Sequence, residues 1–237
     1  MNPSTSFQRL RLFVLLLVSC LLLLTPGCLD LEEELFLNRD GSGTYVNTID
    51  LARLGEMISM MAPDTIREQI YQHPERFLDS FLHAQGIAAA LSSLSSAYTE
   101  LEGIDQVSIS LQNGSIRIRY DFDDIDALNQ ALSLTVIPGI DLPASSFEFQ
   151  KGALIRQTYK RDVQTEDHQQ DQIEMSQMMM GDATYRLRYH FPGRIKSRRI
   201  KGGFTSEGGR TIEYEYTVLD LIQDASILEN TLQFRRR

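Results

Sequence analysis

Several segments of this 237-residue chain alternate apolar with polar side chains, and they occur in pairs joined by glycine-containing turns. The clearest pair is Val107–Leu111 and Ile116–Phe122, on either side of the turn Gln112-Asn113-Gly114-Ser115. Such alternation is typical of a strand with one buried face, and Asn-Gly between two alternating runs favours a tight β-hairpin. The chain therefore has to bury one face of a sheet built from hairpins.

Two more hairpins and two further strands follow from the same pattern. Each hairpin has a turn that contains glycine, and a turn at Pro192-Gly193 separates the last two strands. The predicted segments are Leu29–Leu37 with Thr44–Asp50, Phe147–Gln150 with Ala153–Arg161, Tyr185–His190, and Thr211–Val218.

Helical periodicity occupies much of the region between the first two hairpins. Asp50 is a suitable cap for a helix over 51–62 that ends before Pro63, and 64–100 continues as helices with breaks at His73-Pro74 and Gly86. A helix at about 124–133 and a helical or mobile stretch at 164–181 complete the pattern.

Strands that pair locally and helices that follow them predict an α+β fold. We expect a mostly antiparallel sheet built from hairpins, with helices packed on one face. The helical layer falls at about 51–100, and the remainder is rich in hairpins.

The N-terminus has the layout of a targeting segment. Arg9 and Arg11 precede an uncharged run of 13 residues, Leu12–Leu24, which ends at Thr25-Pro26-Gly27-Cys28. A run this short lies below the roughly 18 to 20 apolar residues that a membrane-spanning helix needs. We therefore divide the chain into a signal peptide, 1–27, and a single envelope domain, 28–237.

This segment resembles a bacterial lipoprotein signal peptide, in which cleavage occurs before a cysteine. The resemblance implies that Cys28 is the lipidation site, with diacylglycerol on its sulfur and an amide-linked acyl chain such as palmitate. Cys20, after Leu17-Val18-Ser19, also matches the pattern, but processing there would leave the apolar Leu21–Leu24 on the mature protein. Because the chain turns polar directly after Cys28, we favour Cys28.

Localisation follows from the same resemblance. It implies a membrane-anchored lipoprotein of the bacterial cell envelope. In enterobacterial lipoproteins, Asp directly after the lipidated cysteine retains the protein at the inner membrane, and here that position is Leu29. In a Gram-negative organism this favours the outer membrane over the inner one.

Charge is distributed unevenly along the mature chain. The segment 28–150 carries 6 basic and 20 acidic residues, whereas 151–237 carries 15 basic and 12 acidic ones. This balance argues against nucleic acid as a partner. The asymmetry favours either simple solubility or a basic face that meets an anionic surface or the acidic half itself.

Basic residues concentrate around the predicted turn at Pro192-Gly193 and at the C-terminus. They fit either contact with an envelope protein, anionic lipid or polysaccharide, or charged edge strands that prevent sheet aggregation. The residues are Arg194, Lys196, Arg198, Arg199, Lys201, Arg235, Arg236 and Arg237.

Candidate metal sites in the sequence are incomplete. The turn at Asp40 lacks the acids of a calcium loop, because Phe36 and Asn47 stand at the positions that require them. The acidic run Asp121, Asp123, Asp124 and Asp126 has the pattern of a strand end and a helix N-cap. The methionines of 175–180 offer soft ligands for Cu(I), but they also suit core packing. We predict no bound metal and no cofactor.

No catalytic motif is present in the sequence. His73, His83, His168 and His190 are scattered, without the spacing of a zinc hydrolase, and nucleotide-binding loops and nucleophile elbows are missing. We therefore predict no catalytic residue.

The hairpin LEEELFLNRDGSGTY after Cys28 and the later strand YRLRYHFPG resemble bacterial envelope lipoproteins of the LppM type. This resemblance implies an α+β domain that holds a lipid-like ligand, and it transfers no catalytic residue. The leading hypothesis is a lipid-anchored, non-catalytic structural or interaction module. The alternatives are a carrier for a lipid-like hydrophobic ligand and an exported hydrolase.

Overall fold

The computed structural model describes residues 30–51, 62–84, 86–112, 114–134, 143–159, 183–200 and 205–235. The signal segment, the stretch 164–181 and all but the two end residues of the helix predicted over 51–62 lie outside the described residues. The helices are α1 (Asp64–Gln72), α2 (Pro74–Ala84), α3 (Ile87–Thr99), α4 (Ile125–Leu134) and α5 (Val218–Gln223). The strands are β1 (Asp30–Leu37), β2 (Gly43–Asp50), β3 (Ile104–Gln112), β4 (Ser115–Phe122), β5 (Ala144–Gln150), β6 (Ala153–Tyr159), β7 (Thr184–His190), β8 (Ile195–Ile200), β9 (Thr205–Glu207), β10 (Thr211–Thr217) and β11 (Asn230–Phe234).

Local predictions are confirmed across the described residues. The three hairpins form as β1–β2, β3–β4 and β5–β6, and 64–100 forms three helices that break at His73 and at Gly86. The helix expected at 124–133 is α4. Hairpins and helix breaks depend on neighbouring residues, which is why the sequence pattern locates them.

The expectation of one sheet needs correction, because the strands form two. Sheet A has seven strands in the order β3-β4-β2-β1-β7-β10-β9, and sheet B has four in the order β5-β6-β11-β8. Sheet A is mixed, since β1 and β7 pair in parallel, with Asp30 opposite Thr184 and Phe36 opposite His190. The alternation of apolar and polar residues shows which face of a strand is buried. It does not specify which strand, more than 150 residues away, pairs with it.

Sheet A has two ends that matter below. We call them the Asp30 end, where β1 begins, and the Leu37 end, where β1 finishes. Because β7 runs parallel to β1, it also begins at the Asp30 end, and its last residue, His190, lies at the Leu37 end. Eight residues of extended strand separate the two ends by about 23 Å.

One face of sheet A is buried, and two different layers cover it. Helix α3 packs on β3, and the ring of its Tyr98 lies 5.1 Å from that of Tyr120 on the neighbouring β4. Sheet B covers the β1–β7–β10 part of the same face, where Phe147 meets Tyr189 edge-on at 6.2 Å between ring centroids. The prediction of helices on one face is therefore confirmed for α3, while a second sheet completes the cover.

Helix α4 holds the outer edge of sheet B through one side chain. The Asn129 amide nitrogen donates to the backbone oxygen of Phe147 at 2.8 Å, and its oxygen accepts from the Phe147 backbone nitrogen at 2.7 Å. Phe147 lies on β5, the edge strand of sheet B. The amide thus pairs with the edge strand much as a neighbouring strand would, and it links the helical layer to sheet B.

We predict that Asn129→Asp destabilises the fold by about 1–3 kcal/mol, because it removes the donor and sets a carboxylate against a carbonyl oxygen. Gln130→Glu introduces the same charge at the next, exposed position of α4 and serves as the matched control. Urea unfolding of both variants tests this, and equal stabilities would contradict it.

Candidate functional site

An ion pair lies buried between the two sheets. Glu33 projects from β1 and Arg156 from β6, and each is only 3 % exposed. Both lie at positions of their strands where the alternating pattern calls for an apolar side chain. On β1, for example, Leu31 and Leu35 flank Glu33 on the buried face. Sequence reasoning missed this pair. The signal was available, since two opposite charges interrupt otherwise apolar faces.

The Arg156 guanidinium uses all its N–H groups inside the protein. Its two terminal nitrogens bind the two carboxylate oxygens of Glu33 at 3.0 and 3.2 Å, in a bidentate arrangement. Nε and Nη2 donate to the Ser145 hydroxyl at 3.0 and 2.8 Å. Nη1 also donates to the Tyr189 hydroxyl at 2.8 Å, and Nη2 to that of Tyr185 at 3.3 Å.

Glu33 is likewise held by more than the arginine. The Tyr185 hydroxyl donates a short hydrogen bond to Glu33 Oε2. The Phe147 ring closes another side of the site, with its centroid 5.3 Å from Arg156 Cζ. We call Glu33, Ser145, Arg156, Tyr185 and Tyr189 the buried polar centre.

Burial and charge set the protonation of these groups. Burial alone would lower the pKa of Arg156, but the Glu33 carboxylate, with Tyr185 and Tyr189, holds it well above its ordinary value. Burial, together with the Glu33 charge, raises the pKa of Tyr185 well above the usual range of a phenol. The arginine therefore stays charged and the tyrosine stays neutral at ordinary pH.

Tyrosines continue the buried layer beyond the polar centre. Tyr45 and Tyr120 stack at 5.2 Å between ring centroids, and burial raises the pKa of both well above the usual value. Among the described residues, the buried Tyr120 hydroxyl has no hydrogen-bond partner. Its contribution to stability therefore comes from ring packing.

The other face of sheet A carries paired charges in register. Arg188 of β7 lies between β1 and β10 and contacts Glu34 at 2.6 Å, Glu32 at 3.0 Å and Glu213 at 3.2 Å. Hydrogen bonding to Glu213 is the main cause that raises the pKa of Arg188. Arg186 contacts Glu215 at 2.9 Å. These pairs are partly or largely exposed to solvent, and each adds roughly 0.2–1 kcal/mol to stability.

The candidate acidic sites are engaged within the fold. Asp40 Oδ1 accepts hydrogen bonds from the Ser42 backbone and hydroxyl at 3.1 and 2.7 Å, and these bonds lower the pKa of Asp40. Asp124 caps α4 by accepting from the Ala127 backbone nitrogen at 2.9 Å. Asp121 accepts from Thr44 at 2.7 Å and from Arg119 at 3.2 Å. In the part of the chain that the structure describes, no three His, Cys, Asp or Glu side chains group as metal ligands.

The remaining candidates are not brought together. His190 stacks on Phe36 at the Leu37 end, with 4.2 Å between ring centroids, whereas His73 and His83 are exposed residues of the α1–α2 region. Cys20, Cys28, His168 and the methionines of 175–180 lie outside the described residues, as do Lys201, Arg236 and Arg237. Over the described ranges, no helix is both long and apolar enough to span a membrane.

Comparisons with known proteins give little direct guidance. The chain matches no family of known proteins and none of the curated proteins. Its structure is similar to the NMR structure of the folded domain of LppM from Mycobacterium tuberculosis, with a TM-score of 0.38 and 9% sequence identity over 89% of this chain and 91% of that one.

A double-mutant cycle tests the buried pair. We predict that Glu33→Leu and Arg156→Met each destabilise the protein by about 3–5 kcal/mol, because each leaves a buried charge without its partner. The double variant should be far more stable than the sum of the single losses implies.

The control cycle uses the exposed pair Glu215→Leu and Arg186→Met, whose coupling should stay within roughly 0.2–1 kcal/mol. Chemical denaturation of both sets provides the free energies. A coupling at the buried pair no larger than that of the control would contradict our account.

Alkaline pH should unfold the protein through its buried tyrosines. Their pKa values are raised in the fold, so above pH of about 10 the unfolded chain loses phenolic protons first. Stability should be insensitive to these tyrosines below that pH and then fall by about 1.4 kcal/mol per pH unit for each of them.

Tyr120→Phe should reduce this slope by one proton. Tyr159→Phe removes an exposed hydroxyl and should keep the slope of the wild type. Urea denaturation at a series of pH values measures both. Identical slopes in the two variants would rule out the buried hydroxyl as a source of the pH dependence.

Proposed function

We propose that this protein is a lipid-anchored lipoprotein of the bacterial cell envelope, and that it acts as a non-catalytic structural or interaction module. The anchor is diacylglycerol on Cys28, with a further acyl chain on its amino group. The partner is an envelope component that the folded domain meets from the membrane surface.

The observation that carries the proposal is the short distance in sequence between Cys28 and the sheet. Only Leu29 separates Cys28 from Asp30, the first residue of β1. Asp30 is fixed to β7, since its carboxylate accepts from the Thr184 backbone nitrogen at 3.3 Å and from its hydroxyl at 2.5 Å. A lipid on Cys28 would therefore hold the Asp30 end of sheet A at the bilayer without a linker.

The chemistry of the buried polar centre supports a structural role over catalysis. A catalytic group has to reach a substrate, but Arg156 and Glu33 are both occupied by internal partners and lie between two packed sheets. Their strong interaction joins the sheets. The carrier and the exported hydrolase remain alternatives from the sequence alone.

Intact mass of the membrane-extracted protein, beside a Cys28→Ser form, tests the anchor. The wild type should have the mass of residues 28–237 plus acyl groups, and the variant should lose these groups and leave the membrane fraction. Two or three acyl chains give stable anchoring, because each buried methylene contributes about 0.8 kcal/mol.

Cys20→Ser is the matched control and should remain acylated. A wild-type mass equal to the unprocessed chain, or an acylated Cys28→Ser form, would overturn the assignment of Cys28.

A further inference from the structure

The fold gathers basic residues from distant segments at the Leu37 end. Strand β7 ends there, and the chain turns through Pro192 and Gly193 into Arg194. The backbone nitrogen of Arg235 donates to the Arg194 oxygen at 2.9 Å, and that of Phe191 donates to the Arg210 oxygen at 2.9 Å. Three arginines that are far apart in sequence are thus placed around one turn.

Close backbone contacts fix this arrangement. A Cβ on Gly193 would lie 1.8 Å from the Arg235 backbone oxygen, so only glycine allows the two segments to approach. A Cβ on Gly209 would lie 3.8 Å from Cγ and Nε of Arg194, so this side chain lies beside the turn that carries Arg210. The β5–β6 turn joins the group, because the Phe234 backbone nitrogen donates to the Gly152 oxygen at 3.0 Å.

We call these residues the basic cluster: Lys151, Arg194, Lys196, Arg210 and Arg235. All five side chains are exposed. None forms an ion pair with another residue in the described ranges, in contrast to Arg186 and Arg188 on β7. Among the described residues, the cations of the sheet face are therefore paired with glutamates, and those of the cluster are not.

Protection of a sheet edge does not explain the cluster. Strand β8 is an edge of sheet B, and Lys196 lies on it. Arg235, however, follows β11, which has neighbours on both sides, and Arg210 and Lys151 lie in turns. Charged residues protect an edge only when they lie along it.

Two acidic residues at the same end lie too far away to neutralise the cluster. Asp123 and Asp124 follow β4, which is three strands from β7, or about 14 Å at the usual strand spacing. Exposed charges at that distance are largely screened at physiological salt, where the Debye length is about 8 Å. Asp40, in the nearer β1–β2 turn, accepts hydrogen bonds from Ser42 and forms no ion pair with a residue of the cluster.

The position of the cluster also bears on its partner. An anchor at Cys28 would hold the Asp30 end at the bilayer, and the Leu37 end lies about 23 Å further along the strands. This separation is well beyond the screening length. The cluster would therefore meet a ligand on the side away from the anchoring membrane, and in this respect the inference rests on the proposed function.

We propose that the basic cluster binds a linear polyanion, a polymer with repeated phosphate or carboxylate groups such as an acidic envelope polysaccharide. Several exposed cations from separate turns match a ligand with several spaced anionic groups better than they match a single small anion. Each contact releases counterions, so binding is strong at low salt and weakens as salt is added.

The test uses the full-length protein in neutral detergent, with long-chain inorganic polyphosphate and polygalacturonate as the two probes and neutral dextran as the blank. Arg194→Gln/Arg210→Gln removes two cations from the cluster. Arg76→Gln/Arg117→Gln removes two exposed cations elsewhere and changes the net charge equally. Lys151→Gln/Lys196→Gln is a second cluster variant, and circular dichroism checks that each variant folds.

We expect both cluster variants to raise Kd for at least one probe by about tenfold or more, and the control to change it by less than about threefold. The probe that binds more tightly identifies phosphate or carboxylate as the preferred group. Equal effects in cluster and control variants, or no binding of either probe, would overturn the proposal. So would binding to phosphatidylglycerol vesicles alone, or self-association that the cluster variants abolish.

These outcomes are separable from those for the anchor. Lipid found on Cys28 without polyanion binding would reject the cluster proposal alone. If the protein binds a polyanion but carries no lipid on Cys28, the anchor is rejected, and the proposal that the cluster binds a polyanion still holds.

Discussion

The contact between Glu33 and Arg156 is the constraint on which the arrangement of the two sheets depends. Charges this deeply buried are tolerated only when each finds its partner and its remaining hydrogen bonds are satisfied. Here the bidentate pair, Ser145 and two tyrosines meet that condition, and these residues come from four strands of both sheets. Because Glu33 lies on sheet A and Arg156 on sheet B, their bidentate contact links the two sheets at this point.

Aromatic packing extends the same interface. Phe147 lies against both Arg156 and Tyr189, and Phe191 packs on Phe234 at 5.0 Å between ring centroids. These rings exclude water from the ion pair, which strengthens it, and they bury the apolar area that stabilises the two-sheet arrangement. A polar centre and an apolar shell thus support one another.

Arginine serves three purposes in this fold. Arg156 holds the sheets together from inside, and Arg186 and Arg188 balance the glutamates of the neighbouring strands on the outer face. Arg194, Arg210 and Arg235 are exposed, without an ion pair to any described residue. The difference comes from position. Residues within paired strands have cross-strand neighbours in register, whereas residues in turns project beyond the sheet.

The local elements of this fold can be predicted from the amino-acid sequence. Alternation and glycine-containing turns located three hairpins, and proline and glycine marked the ends of the helices, because those features depend on residues close in the chain. Asp124 was recognisable as a helix cap for the same reason. Four features emerge only in the folded protein: the parallel pairing of β1 with β7, the division into two sheets, the short strand β11 and the contact of Glu33 with Arg156. Each of these joins segments separated by many residues, and the choice depends on which buried charges and aromatic rings fit together across the interior, information that no local pattern contains.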